Sequence, residues 1–167
     1  MKAQRGALLF DWGDTLMADF KQYTGPMKDW PEVAALPGAQ AVLAALQPDW
    51  HLILATSADV STAADIHAAL RRVDLDGFIE RIYSFKDLQI KKTDPAFYRR
   101  ILGDLGLPPE KVCMIGDHYE ADVLSPTAAG LRAVWLERSG AEDRRSERIR
   151  TIHALDELPA VLAAWEI

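Results

Sequence analysis

The chain has 167 residues, 49% of them hydrophobic and 26% charged, the make-up of an ordinary soluble globular protein long enough to bury a core. A net charge of −6 speaks against a nucleic-acid partner, and no apolar stretch approaches the length of a membrane span. Met1-Lys2-Ala3-Gln4-Arg5 runs straight into the first apolar segment, leaving no room for a signal peptide, and the lone Cys113 has no partner for an internal disulfide, so a reducing cytoplasm is the expected location.

Taken in chain order, the wholly apolar residues 7–10 read as a buried strand. Residues 38–46 have helical spacing, with Val42, Leu43 and Leu46 on one side and Pro37 just ahead. Residues 51–55 form a second buried strand, followed by an amphipathic helix over 60–73 through Ile66, Ala69, Leu70 and Val73. Either Asp59 or Ser61 is placed to cap that helix. A weaker third strand falls at 81–85, and a helix at 95–105 has Pro95 in its first turn and Gly106 just past its end. A fourth strand (112–115), a helix disturbed by Pro126 (122–129) and a fifth strand (133–136) follow. A short sixth strand at 151–153 and a helix over 155–165 close the chain. Apolar strands alternating with helices imply an α/β fold: one domain over residues 1–167, a three-layer Rossmann-like parallel sheet with helices on both faces and right-handed crossovers.

The strand ends carry the chemistry, because ligands of open α/β sheets bind outside the carboxyl ends of the strands. The first strand delivers Asp11-Trp12-Gly13-Asp14-Thr15, and the second delivers Thr56 and Ser57. The fourth delivers Gly116-Asp117, with Asp122 a turn further on, and a loop after the third supplies Lys91 and Lys92. Carboxylates brought together repel one another and call for a cation. Magnesium accepts a few carboxylates together with phosphate oxygens, a lysine and a hydroxyl hold remaining phosphate charge, and an aspartate can serve as nucleophile. The set therefore suits metal-assisted phosphoryl transfer.

With these motifs in this order, the chain resembles the haloacid dehalogenase superfamily over nearly its whole length. Asp11 to Thr15 is similar to the family's Asp-x-Asp-x-Thr, with Gly13 in place of the second acid. Thr56, with Ser57 as the alternative, is similar to the second motif; Lys92, before Thr93-Asp94-Pro95, to the third; Gly116-Asp117 with Asp122 to the fourth. The resemblance implies Asp11 as nucleophile. It implies a magnesium site from Asp11, the Gly13 carbonyl, Asp117 and Asp122, the last direct or through water. It implies Thr56 and Lys92, with Ser57, as holders of the phosphoryl group. The departure at Gly13 removes the usual acid–base aspartate, help typically worth roughly a hundred- to ten-thousand-fold. Asp14, displaced by one residue, is a candidate replacement; its alternative is a hydrogen bond to the turn backbone.

The remaining residues have plainer readings. Lys91 is expected in solvent, Cys113 in the core and His118 on the rim; Trp12 either lines the site mouth or packs inside. Trp30, Trp50, Trp135 and Trp165 are expected at helix–sheet boundaries. Residues 17–36 are too few for a folded helical cap, as is the stretch after the second strand, so a capless form is expected with 17–36 as a flap. Tyr23, Met27, Lys28 and Trp30 on that flap are candidate substrate contacts. The leading expectation is a magnesium-dependent phosphatase for a phosphorylated small molecule or macromolecule, with no membrane or nucleic-acid partner. An open site would be covered by a large substrate or by a second copy supplying a lid. Two alternatives stand beside it: a phosphate-binding or interaction module without turnover, and a hydrolase of a carbon–halogen or carbon–phosphorus bond.

Overall fold

The computed structural model describes residues 4–166; Met1 to Ala3, on which the reading of the leader partly rests, and Ile167 lie outside the described residues. Six parallel strands form one sheet: β1 (Ala7–Phe10), β2 (His51–Thr56), β3 (Arg81–Ser84), β4 (Val112–Gly116), β5 (Arg132–Leu136) and β6 (Ile149–Ile152), in the spatial order β3-β2-β1-β4-β5-β6. The central pairings put Phe10 beside Leu54 on one side and Ile115 on the other. The chain leaves β1 for β2 in one direction and later returns to place β4 on the opposite side. The ends of β1 and β4 therefore meet where the strand order reverses, the place where such sheets bind ligands.

Strand side chains alternate between faces, and both faces are covered. Leu8, Phe10, Leu52, Leu54, Cys113 and Ile115 share one core with α1 (Ala39–Leu46), α2 (Ala63–Arg71) and α6 (Leu158–Ala164). Ala7, Leu9, Ile53, Ala55 and Met114 share the other with Phe97, Tyr98 and Ile101 of a helix over Ala96–Leu105. That helix, α4, follows the single-turn α3 (Phe85–Leu88) and ends at Gly106 in the left-handed conformation, the usual glycine stop. No cap domain is found among the described residues, and none of their helices is long and apolar enough to cross a membrane.

The differences from the sequence expectations have local causes. The second helix begins at Ala63, not at residue 60, because Thr62 accepts the Asp65 N–H while the Asp65 carboxylate accepts the Thr62 N–H. This reciprocal box, and neither Asp59 nor Ser61, caps it. The third strand stops at Ser84, whose hydroxyl accepts the Asp87 N–H and turns Phe85 into α3. The helix expected over 122–129 is instead a wide π turn, Tyr119–Leu124, running into the short α5 (Ser125–Ala128), with Pro126 in the first turn of α5. The last strand comes two residues earlier than expected, at Ile149–Ile152.

Residues 17–36 are anchored rather than loose. Met17 bridges to both Gly13 and Ala35, and Met27 and Trp30 are buried in the larger core. The Arg72 guanidinium of the α2 C-cap donates to Trp30 O at 2.7 Å and Lys28 O at 3.1 Å, and Lys28 pairs with Asp65 of the same helix. Of the tryptophans, Trp12 and Trp50 are core residues; Trp12 Nε1 lies on Met17 Sδ, and Trp12 also borders the cavity at the strand ends, so both readings of it hold. Trp30 lies under the loop, and Trp135 Nε1 donates to Asp117 O at the site end of the sheet, so neither matches a simple helix–sheet boundary.

Candidate active site

Beyond Phe10 the backbone reverses within a few residues. The N–H groups of Thr15, Leu16 and Met17 converge on Trp12 O, and Asp14 N–H donates to Met17 O at 2.7 Å. The reversal places Asp14 in the left-handed region, φ 57°, a conformation that Asp tolerates better than most residues. Asp11 is thereby left facing the end of β4, with its N–H donating to Ile115 O.

Asp11, Asp117 and Asp122 each offer an oxygen within 4.8 Å of the others. Lys92, buried, reaches this cluster from the loop before α4: its Nζ lies 3.0 Å from Asp11 Oδ1, 2.5 Å from Asp122 Oδ1 and 2.9 Å from Ala55 O. The Thr15 hydroxyl donates to Asp11 Oδ2 at 3.2 Å and lies 3.5 Å from Asp117 Oδ1. Asp122 comes from the π turn; its Oδ2 accepts the His118 N–H at 3.0 Å. Gly116 is required for this approach, since a Cβ there would lie 2.2 Å from Asp122 Oδ2.

The electrostatics follow from this crowding. Burial, reinforced by Asp11 and Asp122, pushes Asp117 up to about 7. Burial and Asp11 push Asp122 upward too, against the pull of Lys92. Burial by itself would lower the Lys92 pKa, but Asp11 and Asp122 outweigh it and hold the ammonium above its ordinary value. Three carboxylates against one ammonium leave a surplus of negative charge at one point. An oxygen-only donor set of this kind fits a magnesium-type divalent cation.

The cluster lies in a cavity of about 540 Å³. Its lining includes the expected Asp11, Gly13, Asp14, Thr56, Ser57, Lys92, Asp117 and Asp122, so the fold brings every one of them together. Thr56 is nearly buried, and its hydroxyl accepts the Ala58 N–H at 3.2 Å, leaving its own proton free to donate; Ser57 is exposed at the rim. Lys91 is exposed, and Cys113 is buried, which pushes its thiol up to about 12. His118 also lines the cavity, with Nδ1 accepting the Ala121 N–H at 3.3 Å. Of the flap residues, Met27 and Trp30 reach the cavity; Tyr23 packs against Phe20 and Trp30, and Lys28 is engaged by Asp65.

Asp19 and Lys21 also line the mouth, and the sequence offered no motif for either. Lys21 pairs with Asp19 and lies 3.9 Å from Asp14 Oδ2, and Asp14 Oδ1 accepts the Asp19 N–H at 2.9 Å.

A six-stranded parallel sheet with an acidic cluster and a buried lysine at its reversal point defines a hydrolase of the haloacid dehalogenase type. The chain belongs to the haloacid dehalogenase-like hydrolases, whose family model matches residues 7–130. It is 35% identical over 85 residues to the haloacid dehalogenase-like hydrolase domain-containing protein 3 of Danio rerio, an alignment covering 48% of this chain and 34% of that protein. It is 40% identical over 52 residues to the phosphoserine phosphatase of Thermus thermophilus, covering 31% of this chain and 21% of that one. The chain thus spans about a third and a fifth of the lengths of these two relatives. A crystal structure of a protein from Listeria monocytogenes serotype 4b superposes with a TM-score of 0.85 over 96% of this chain and 98% of that chain; at 20% identity it shows the shared fold.

Proposed function

We propose that this chain is a magnesium-dependent phosphatase that cleaves a phosphate monoester through an aspartyl-phosphate on Asp11. The observation that carries the reading is the Lys92 ammonium held between Asp11 and Asp122, with Asp117 beside them, at the floor of an open cavity. Asp11 Oδ2 would attack phosphorus while Lys92 on Oδ1 fixes the carboxylate's orientation. Lys92 and the Thr56 hydroxyl would draw charge from the transferring group. Asp11, the Gly13 carbonyl and Asp117 would hold magnesium, with Asp122 supporting it through water, since both its oxygens already have partners. When bound, the ion supplies charge neutralisation and a template for the phosphoryl oxygens. The phosphoserine phosphatase likeness is consistent with this chemistry.

The substrate would be a phosphorylated small molecule, or a macromolecule whose own bulk covers the cavity; a second copy acting as a lid would instead appear as a dimer in light scattering. Gly13 is the observation that favours a second reading, cleavage of a carbon–halogen or carbon–phosphorus bond, because it carries no acid. That the described residues hold no cap domain weighs against it. The deciding experiment is hydrolysis of an activated aryl phosphate, with magnesium and with chelator, by wild type and Asp11→Asn. Magnesium-dependent turnover that falls by more than about a thousand-fold in Asp11→Asn is expected. Turnover no greater than that of Asp11→Asn would sink the phosphatase reading. Phosphate or magnesium binding in that case would identify a binding module.

A further inference from the structure

Beside the acidic cluster lies a second recess, of about 250 Å³, lined by Ser57, Asp59, Phe85, Lys91, Lys92 and Thr93. Ser57, Asp59, Lys92 and Thr93 also line the larger cavity, so the two spaces adjoin. The phosphoryl chemistry uses the Lys92 wall and leaves the rest of the recess without a task. A group esterified to a phosphate held by Lys92 and Thr56 would have this recess beside it.

The walls of the recess are tied together while its charged ends are free. Lys86 N–H, at the start of α3, donates to Ala58 O at 2.9 Å. The Asp87 carboxylate accepts the Ala63 N–H at 2.9 Å and the Ser84 hydroxyl at 3.0 Å, so the segment after β2 is fastened to α3. Lys92 is pinned by its ion pairs, and Lys91 O accepts the Asp94 N–H at 2.9 Å, which fixes the backbone from which Lys91 projects. Among the described residues, neither the Asp59 carboxylate nor the Lys91 ammonium has a hydrogen bond or an ion pair, and the two do not pair with each other. Both are exposed, and the half-buried Phe85 adds apolar surface to the same recess.

Two unpaired charges of opposite sign in one small recess restrict what can fill it. A group with a single charge gains from one of them and is repelled by the other. A neutral group strips water from both and returns no counter-charge. A group carrying an ammonium and a carboxylate complements both, and a short aliphatic stem between them finds Phe85. We propose that the recess receives the alcohol part of the substrate and that this alcohol is zwitterionic, Asp59 taking its ammonium and Lys91 its carboxylate; this rests on the phosphatase reading. The substrate class is then a small phosphate ester of a hydroxylated amino acid, and Asp59 and Lys91 determine specificity without touching the reacting atoms.

The test compares kcat/KM, with magnesium, on the phosphate esters of serine, of ethanolamine, which lacks the carboxylate, of glycerate, which lacks the ammonium, and of glycerol, which lacks both. An activated aryl phosphate is the reference. The serine ester should exceed the ethanolamine and glycerate esters by at least about tenfold each, the size of one charge-assisted hydrogen bond. Lys91→Met should erase the advantage over the ethanolamine ester and keep that over the glycerate ester. Asp59→Asn should do the reverse. Thr62 and not Asp59 caps α2, so neither side chain holds the fold, and damage to the fold would lower all the esters alike rather than give this crossed pattern. Turnover of the aryl ester with no preference for the serine ester, a glycerol ester as good as the serine ester, or equal losses on every ester in both variants would each overturn the proposal and leave the phosphatase reading standing. A wild type that turns over no ester, the aryl phosphate included, would overturn the phosphatase reading itself, and this proposal with it.

Discussion

Lys92 shows how one side chain serves both stability and chemistry. It is 3% exposed and placed against two carboxylates, so removing its charge leaves buried acids without compensation. Lys92→Met should destabilise the metal-free protein by about 3–5 kcal/mol. At about 2–4 °C per kcal/mol for a chain of this size, thermal denaturation should shift downward by about 6–20 °C. An unchanged midpoint would mean that the ion pair contributes nothing net. Lys92 rather than Lys91 was legible from its place before Thr93-Asp94-Pro95. Asp19 was not legible, because its nearness to Gly13 is created by a chain reversal that no local pattern announces.

Elements set the angles at which these residues meet. Strands were the easiest to read, because a buried parallel strand is simply an apolar run, and β1 falls where its residues say. Helix starts were harder, since Asp59, Ser61 and Thr62 are all good caps and only the reciprocal bonds of Thr62 and Asp65 choose among them. Thr62→Ala should cost about 1 kcal/mol, or about 2–4 °C, whereas Asp59→Ala should leave the melting temperature within error. Equal effects would show that the box does not fix the helix start. The π turn was illegible for a different reason. Asp122 within it is held by the tertiary ion pair with Lys92 and by the local bond from the His118 N–H, neither of which the propensities of Tyr119 to Leu124 announce.

Across the whole molecule, the sheet order concentrates negative charge at one end. Asp117 is pushed up to about 7 and Asp122 is raised as well, from an ordinary carboxylate value of 3.8. Between those limits the folded state binds more protons than the unfolded one, so these two groups make stability fall as pH rises through that window. With chelator present, melting temperature should therefore decline from about pH 4 to about pH 7, and Asp117→Asn should flatten the decline. Magnesium competes with those protons, so its stabilisation should be larger at the upper end of that range than at the lower. A magnesium effect independent of pH would mean that the ion does not sit among these carboxylates.

The sequence by itself determined the fold class, the strands that carry the chemistry and the set of residues at their ends. It could do so because strand burial and motif spacing are properties of neighbours along the chain. Tertiary structure alone decided how those residues face one another: Lys92 between Asp11 and Asp122, Thr56 with its proton free, the loop at 17–36 clamped to α2 by Arg72, and Asp19 folded back onto Gly13. The Lys92 and Arg72 contacts join segments far apart in the chain, fixed by parallel pairing and by burial of charge, while the Thr56 and Asp19 contacts are local turns whose geometry depends on how the chain leaves the sheet.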